Sequence, residues 1–128
     1  VLSGMRGTTV EQLASQAQRD AVLSVAEKGS CVIVGRCADY ILRDQPGLVR
    51  VFICADDDSR VARICQRDGL DEKEAREKMR KMDKARAAYY AFHADREWSA
   101  ADSYDLCINS SRRGIDAAVE LILQFCKQ

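Results

Sequence analysis

The sequence lacks several features that would have indicated a particular class of function at once. Proline, histidine and tryptophan each occur only once in 128 residues, and no apolar run approaches the length of a membrane-spanning helix, about 18 residues. The first residues do not form a signal peptide. The 20 basic and 20 acidic residues cancel, whereas a surface that binds nucleic acid usually carries a basic excess. We therefore expect neither a membrane nor a nucleic-acid polymer as a partner, and any bound anion should be held at a local site.

The six cysteines form no C-x-x-C pair, so their spacing does not indicate a zinc or redox site. Cys31, Cys54 and Cys107 lie in apolar runs, which predicts buried free thiols that act as small hydrophobic side chains. Free thiols are typical of a reducing compartment, so we predict a cytoplasmic protein. The single histidine, His93, has no cysteine or carboxylate neighbours at metal-binding spacing, and we predict no metal ligands.

Helical and strand patterns alternate along the chain. Thr9 and Gln12 match a capping box and predict the start of a helix that runs to about residue 28. The apolar runs Cys31–Val34 and Val49–Cys54 predict two buried strands, and Tyr104–Asn109 predicts a third. Further helices are predicted over residues 38–43, 56–67, 71–94 and 115–126. This alternation predicts an α/β layered fold with a parallel sheet.

Polar residues follow the first two predicted strands, and ligands of parallel sheets bind beyond the carboxyl ends of the strands. Gly35 would let the backbone turn tightly, and the guanidinium of Arg36 could then bind a phosphate through two hydrogen bonds. Alternatively, Arg36 pairs with Asp39 in a loop. After the second strand, residues 56–58 are three aspartates that are expected to supply N-cap acceptors for a helix.

Two groups of charged residues recur at helical spacing. Arg60, Arg63 and Arg67 share one helical face, as do Asp83 and Arg86 on the long helix that follows. Either group could bind a polyphosphate, but charge stripes on helices are more often solvated surface. Three aromatic residues in the last part of the long helix are interpreted as packing residues, namely Tyr89, Tyr90 and Phe92.

The order of these segments resembles the cytidylate-kinase-like family. The resemblance covers about residues 17–125 and is carried by the runs Cys31–Leu42, Val51–Asp56 with Arg60–Ile64, Asp83–Tyr90, and Trp98 with Tyr104–Ser111. It implies the fold of P-loop nucleoside monophosphate kinases, a three-layer parallel sheet flanked by helices. It also implies ATP as the donor, Mg²⁺ as a cofactor, and a CMP-like nucleoside monophosphate or related small molecule as the acceptor.

The resemblance also implies roles for single residues on the acceptor side. Arg36 matches the arginine of the family's Gly-Arg motif, near the acceptor nucleotide, and Asp39 is assigned to the same site. In true cytidylate kinases an aspartate follows that arginine and helps to read the nucleotide. Here that position is Cys37, which leaves the identity of the acceptor open.

A lid-like helical region is implied at about residues 57–95. Arg60 and Arg63 match the paired arginines that open this region in the family and are assigned to phosphate or nucleotide binding. Asp83 and Arg86 match its Asp-x-x-Arg, which meets the phosphates during transfer, and are assigned as catalytic.

One motif of the family does not occur. The sequence contains no G-x-x-x-x-G-K-[ST], the loop that cradles the donor phosphates. We expect the first strand and this loop to precede Val1, so that residues 1–128 are a single partial kinase domain of a longer chain, inactive by themselves. The alternative is a non-catalytic nucleotide-sensing or interaction module that lacks the P-loop. A homo-oligomer is compatible with both.

Overall fold

A computed structural model describes residues 9–128, and these residues divide into two compact units, residues 9–48 and 49–128. The described residues form a mixed α/β structure with five α-helices and a small parallel sheet. The first unit holds α1 (Val10–Glu27) and α2 (Ala38–Ile41). The second holds β1 (Val51–Cys54), α3 (Asp57–Asp68), α4 (Glu72–His93), a short 3₁₀ helix (Ala101–Ser103), β2 (Leu106–Asn109) and α5 (Gly114–Cys126). None of the helices within residues 9–128 is long and apolar enough to span a membrane.

The first helix begins at the predicted capping box. The Thr9 hydroxyl accepts a hydrogen bond from the backbone N–H of Gln12 (3.1 Å), and the Gln12 side chain accepts one from the N–H of Thr9 (2.8 Å). Further along, Val22 is buried in a cluster with Ala38 and Leu42, so α1 packs against α2 in the core of the first unit.

The prediction of a strand at Cys31–Val34 is wrong for this structure. Residues 31–34 have no strand pairing, and Val32 and Val34 are 93% and 87% exposed. β-branched residues favour an extended backbone, but a strand forms only where a neighbour supplies hydrogen bonds and covers the side chains. Only Ile33 of this run contributes to packing, against the core of the first unit.

The sheet of the second unit consists of β1 and β2, paired in parallel. The register places Val51 opposite Leu106 and Cys54 opposite Asn109, so both strands end at the same level. Phe52 lies against Trp98 and Tyr104, with ring centroids 5.5 Å and 5.0 Å away. The parallel pairing agrees with the sequence, while the three-layer sheet remains a prediction.

Helices α3 and α4 form the core of the lid-like region. Val61 packs against Ala75 and Met79, which are both almost fully buried. Gly69 ends α3 in the left-handed conformation (φ 66°), and the Asp71 carboxylate caps α4 by accepting a hydrogen bond from the N–H of Glu74 (2.8 Å). These contacts fix the angle between the two helices. The extent of the domain and the function of this region as a lid remain predictions.

The burial of several residues differs from the sequence prediction. Cys31, Cys54 and Cys107 are exposed, and Cys37 is buried. The residues of an apolar strand are buried only if both faces of the strand are covered. Cys54 and Cys107 lie in a sheet of only two strands within the described residues, and they are exposed. All six thiols are free, as predicted. Of the three aromatic residues of α4 only Tyr90 is buried, whereas Tyr89 and Phe92 are exposed.

Candidate functional site

Three of the predicted site residues meet between α3 and α4. The guanidinium of Arg60 donates two hydrogen bonds to the Asp83 carboxylate, from Nη1 to Oδ2 and from Nη2 to Oδ1, each 2.7 Å long. Asp83 Oδ1 also accepts a hydrogen bond from Nη1 of Arg86, one turn further along α4, at 3.1 Å. One carboxylate therefore holds two arginines, one from each helix.

The charges of this cluster stabilise one another. Arg60 and Asp83 are both about three-quarters shielded from solvent, with side chains 29% and 28% exposed. The two hydrogen bonds from Arg60 lower the pKa of Asp83 against the opposing effect of burial, and Arg86 adds to that effect. The hydrogen bonds to Asp83 raise the pKa of Arg60 in turn. Asp83 is consequently ionised at neutral pH, and it cannot act as a general acid there.

Arg86 is the arginine of this cluster that can still bind an anion. Its side chain is 52% exposed, and its only hydrogen bond within residues 9–128 is the one from Nη1 to Asp83. Both terminal nitrogens of Arg60 are occupied by the same carboxylate. Two nitrogens of the Arg86 guanidinium can therefore donate to a phosphate while Asp83 keeps the side chain in place.

Arg63 lies at a different place in the second unit. It lines an open cavity of about 410 Å³ at the carboxyl ends of β1 and β2. Polar side chains from three segments line this cavity, namely Ser59, Arg63, Ser110, Ser111, Arg113 and Asp116. Neither Arg63 nor Arg113 forms an ion pair within the part of the chain that the structure describes. Two cationic side chains, three hydroxyls and one carboxylate thus surround a space that would accept a polar, anionic ligand.

A ring of hydrogen bonds joins the two strand ends beside this cavity. The Asn109 amide donates to the Asp56 carboxylate (2.9 Å), and its oxygen accepts from the N–H of Ser111 (2.9 Å). The Ser111 hydroxyl accepts from the N–H of Asp56 (2.7 Å), which closes the ring. The prediction that Asp56, Asp57 and Asp58 supply N-cap acceptors for α3 is wrong for Asp56, because its side chain makes no bond to the helix.

Sequence reasoning missed this ring, although a signal for it was present. Asp56 and Asn109 are polar residues directly after or at the end of apolar strands, where parallel sheets place their ligand-binding loops. The register that sets Cys54 opposite Asn109 brings the two positions together. A comparison of the two strand ends with each other would have predicted that Asp56 and Asn109 lie together. The interpretation of Asp56 only as a helix cap did not.

The predicted acceptor residues lie in the first unit, on an unusual turn. Gly35, Arg36 and Cys37 are consecutive residues in the left-handed region, with φ of 69°, 60° and 52°. This conformation is unfavourable for residues with a Cβ atom. The side chain of Gln18 on α1 donates to the Arg36 carbonyl oxygen at 3.3 Å and supports the turn. Arg36 is exposed, and Asp39 follows within the first turn of α2.

Cys37 points into the core of the first unit. It is 4% exposed, and burial, assisted by the charge of Asp39, raises the pKa of its thiol to about 11. The thiol is therefore protonated at neutral pH and hidden from any ligand. At the position that the resemblance assigns to a nucleotide-reading aspartate, this chain has a buried cysteine.

The described residues offer no preformed metal site. No group of three or more histidine, cysteine, aspartate or glutamate side chains within residues 9–128 surrounds a common point. In kinases Mg²⁺ is typically held by one or two carboxylates together with the phosphates of the substrate. A magnesium ion bound in that way would take part of its ligands from the phosphates of the nucleotide.

Comparison with known proteins identifies the family. Residues 3–112 match the cytidylate kinase-like family. The chain belongs to this family. A cytidylate kinase from Archaeoglobus fulgidus is 29% identical in an alignment 137 residues long, which covers 96% of this chain and 73% of that protein. An uncharacterized protein of known structure from Eubacterium ventriosum is 36% identical and superimposes with a TM-score of 0.88, over 94% of this chain and 69% of that one.

The family membership agrees with the resemblance found in the sequence, and the structure adds the arrangement of the assigned residues. It brings together Arg60, Asp83 and Arg86. It places Arg63 at the separate cavity beside the strand ends, and Arg36 with Asp39 in the first unit. Their assigned roles remain predictions.

Proposed function

We propose that this chain, as part of a longer protein, takes part in the ATP-dependent transfer of a phosphoryl group to a CMP-like nucleoside monophosphate or a related small acceptor. Family membership supports nucleotide kinase activity in general. The observation that carries the proposal for this chain is the position of Asp83 between Arg60 and Arg86.

Phosphoryl transfer requires positioning and charge stabilisation rather than a protein nucleophile. In the proposed mechanism, Arg86 donates hydrogen bonds from its two remaining nitrogens to the transferring phosphoryl group. Asp83 keeps the guanidinium of Arg86 in this orientation. Because the side chain is already held, little reorganisation is needed as charge develops on the phosphoryl oxygens. The attacking oxygen belongs to the acceptor.

Arg60 has a different part in this mechanism than the one the resemblance implies. Its two terminal nitrogens bind Asp83, so its first effect is to fix α3 to α4 and to keep Asp83 ionised. Binding of a phosphate by Arg60 would require at least one of these 2.7 Å bonds to be exchanged for a bond to the ligand. We therefore propose Arg60 mainly as a positioning residue for Asp83.

The nucleotide-binding surfaces are proposed from the two remaining groups of assigned residues. The cavity lined by Arg63 and Arg113 lies beyond the carboxyl ends of parallel strands, where nucleotides commonly bind, and we propose that it binds part of a nucleotide. Arg36 and Asp39 are proposed to contact the acceptor. Since Cys37 is buried, the acceptor's base must be recognised by other groups, and we do not restrict the acceptor to CMP.

The test is a transfer assay with the complete protein, radiolabelled ATP and a panel of acceptors that includes CMP, dCMP, UMP, AMP and GMP. Label should pass to at least one acceptor, and Arg86→Ala should abolish most of the transfer while nucleotide binding, measured by calorimetry, persists. Nucleotide binding without transfer to any acceptor would instead identify the non-catalytic nucleotide-sensing module. Absence of both binding and transfer would contradict the proposal.

A further inference from the structure

The ring formed by Asp56, Asn109 and Ser111 lies where two walls of the cavity meet. Asp56 immediately precedes α3, the helix that contributes Ser59 and Arg63 to one wall. Ser111 itself lines the other wall, together with Ser110 and Arg113. The ring therefore connects the start of α3 with the segment that forms the other wall.

The Asp56 carboxylate has two competing partners at this position. As the residue before α3, it could cap the helix by accepting hydrogen bonds from its first N–H groups, an interaction that stabilises the start of a helix. In this structure it makes no such bond and accepts from the Asn109 amide instead. A bond across the strand ends thus takes the place of a local bond that would stabilise the helix alone.

A second set of bonds reinforces the same junction. The Cys54 carbonyl oxygen accepts from the N–H of Ser110 at 2.9 Å and from its hydroxyl at 3.3 Å. The loop after β2 is consequently bound to the end of β1 at two successive residues. The loop cannot shift relative to the end of β1 without breaking these bonds.

From this geometry we infer that Asp56, Asn109 and Ser111 are positioning residues, which hold Arg63 and Arg113 at the separation that a bound nucleotide requires. This inference rests on the proposed function, because it assigns the ring to the same nucleotide-binding cavity. Asp56 and Asn109 do not line the cavity and need not contact the nucleotide themselves.

An exchange of the amide and the carboxylate tests the inference. Asn109→Asp replaces the donor by a second carboxylate and sets two negative charges against each other, while its other oxygen can still accept from the N–H of Ser111. Asp56→Asn alone keeps an oxygen that can accept from Asn109. In the double variant, the amide at position 56 can donate to the carboxylate at position 109, so the bond returns with donor and acceptor reversed and with the net charge unchanged.

We expect Asn109→Asp to weaken nucleotide binding to the complete protein about tenfold, with the double variant and Asp56→Asn both within about threefold of the wild type. Calorimetric titration with ATP and with CMP measures this. In the Asn109→Asp background, Arg63→Ala should weaken nucleotide binding much less than it does in the wild type, because a displaced Arg63 contributes little to binding. In hydrogen exchange, the amide of residue 56 should exchange faster in Asn109→Asp and recover in the double variant.

Asp105→Ala is the matched control. Asp105 joins the same two strands at their opposite end, where its carboxylate accepts from the N–H of Arg50 at 2.7 Å. Its loss should lower the melting temperature without changing nucleotide affinity. If Asn109→Asp changed only the melting temperature, as this control does, while the wild type bound nucleotide, the ring would be merely structural and the inference overturned. If the wild type itself bound no nucleotide, the proposed function would fail, and the inference with it.

Discussion

Asp83 and Arg60 face each other across α3 and α4 with two parallel hydrogen bonds of 2.7 Å. The same carboxylate reaches Arg86 at 3.1 Å, so the pair between the helices also determines where the third side chain points. A bidentate pair of this kind is geometrically specific, whereas a single exposed ion pair contributes little to stability. The arrangement makes distinct predictions for Arg86 and Asp83.

Replacement of Arg86 tests the proposed charge stabilisation. Arg86→Ala should lower kcat by about 10²–10³-fold, the range seen when a preorganised stabiliser of developing charge is removed. Arg86→Lys should recover only part of the loss, because an ammonium group cannot bind Asp83 and a phosphate with one planar fork. Steady-state kinetics with ATP and the best acceptor measure both effects.

Arg80→Ala is the control for that experiment. Arg80 is exposed on the same helix and has no hydrogen bond or ion pair within the described residues, so its loss removes the same charge from α4 without touching the cluster. Its kcat should stay near that of the wild type. An Arg86→Ala enzyme within about threefold of wild-type kcat would show that Arg86 has no catalytic role.

The lowered pKa of Asp83 predicts how the stability of the folded protein depends on pH. Its pKa is lowered in the folded protein, so its contribution is fully present above the pKa of the unfolded chain, about 3.9. The contribution is lost as the pH falls through the lower pKa of the folded state. Asp83→Asn should therefore be less stable than the wild type at pH 7, and the difference should shrink as the pH falls below about 4.

Urea unfolding at a series of pH values measures this difference, with Asp102→Asn as the reference. Asp102 is exposed, and its carboxylate makes no hydrogen bond or ion pair in the described part of the chain. Its substitution should change stability little at any pH. A stability loss in Asp83→Asn that is as large at pH 3 as at pH 7 would mean that shape, not charge, makes residue 83 important.

The sequence predicted local structure better than contacts between segments. Helices α1 and α4 carry capping residues and apolar residues at helical spacing, and both lie within one or two residues of their predicted bounds. The strand predicted at Cys31–Val34 has the right composition, but strand formation depends on a partner that is distant in sequence. Composition alone therefore could not show that the valines of this run are exposed.

The candidate site was predictable as a set of residues but not as an arrangement. The pairing of Arg60 with Asp83 depends on the angle between α3 and α4, which is fixed by the packing of Val61 against Ala75 and Met79. No periodicity in either helix specifies that angle. The preference of Asp56 for Asn109 over its own helix likewise depends on the strand register.

The thiols make a third prediction. Cys37 is buried, with a pKa raised to about 11, and the thiolate is the reactive form of cysteine. Under native conditions at pH 8, iodoacetamide should modify the exposed Cys31, Cys54, Cys107 and Cys126 and leave Cys37 unmodified, as read by peptide mass spectrometry. The same reaction in denaturant should modify all six. Rapid native modification of Cys37 would show that the first unit opens readily.

The turn at Gly35–Cys37 predicts opposite effects of one substitution on stability and on binding. Arg36 has φ of 60°, a conformation that costs roughly 1–2 kcal/mol for a residue with a Cβ atom and that glycine adopts without strain. Arg36→Gly relieves this cost. Part of the gain in stability is lost, however, because glycine has more conformational freedom in the unfolded chain. Arg36→Ala removes the guanidinium but keeps the strain.

Comparison of the two variants separates the backbone from the side chain. Arg36→Gly should be more stable than Arg36→Ala by about 0.5–1 kcal/mol, since the entropy of the unfolded glycine offsets part of the strain relief, and urea unfolding measures the difference. Both should raise the KM for the acceptor to a similar extent, because both lack the proposed phosphate ligand, while the KM for ATP should change little. Equal stability of the two variants would show that the turn relaxes without strain. An unchanged acceptor KM in both would remove Arg36 from the proposed acceptor site and leave the strained turn as a structural feature of the first unit.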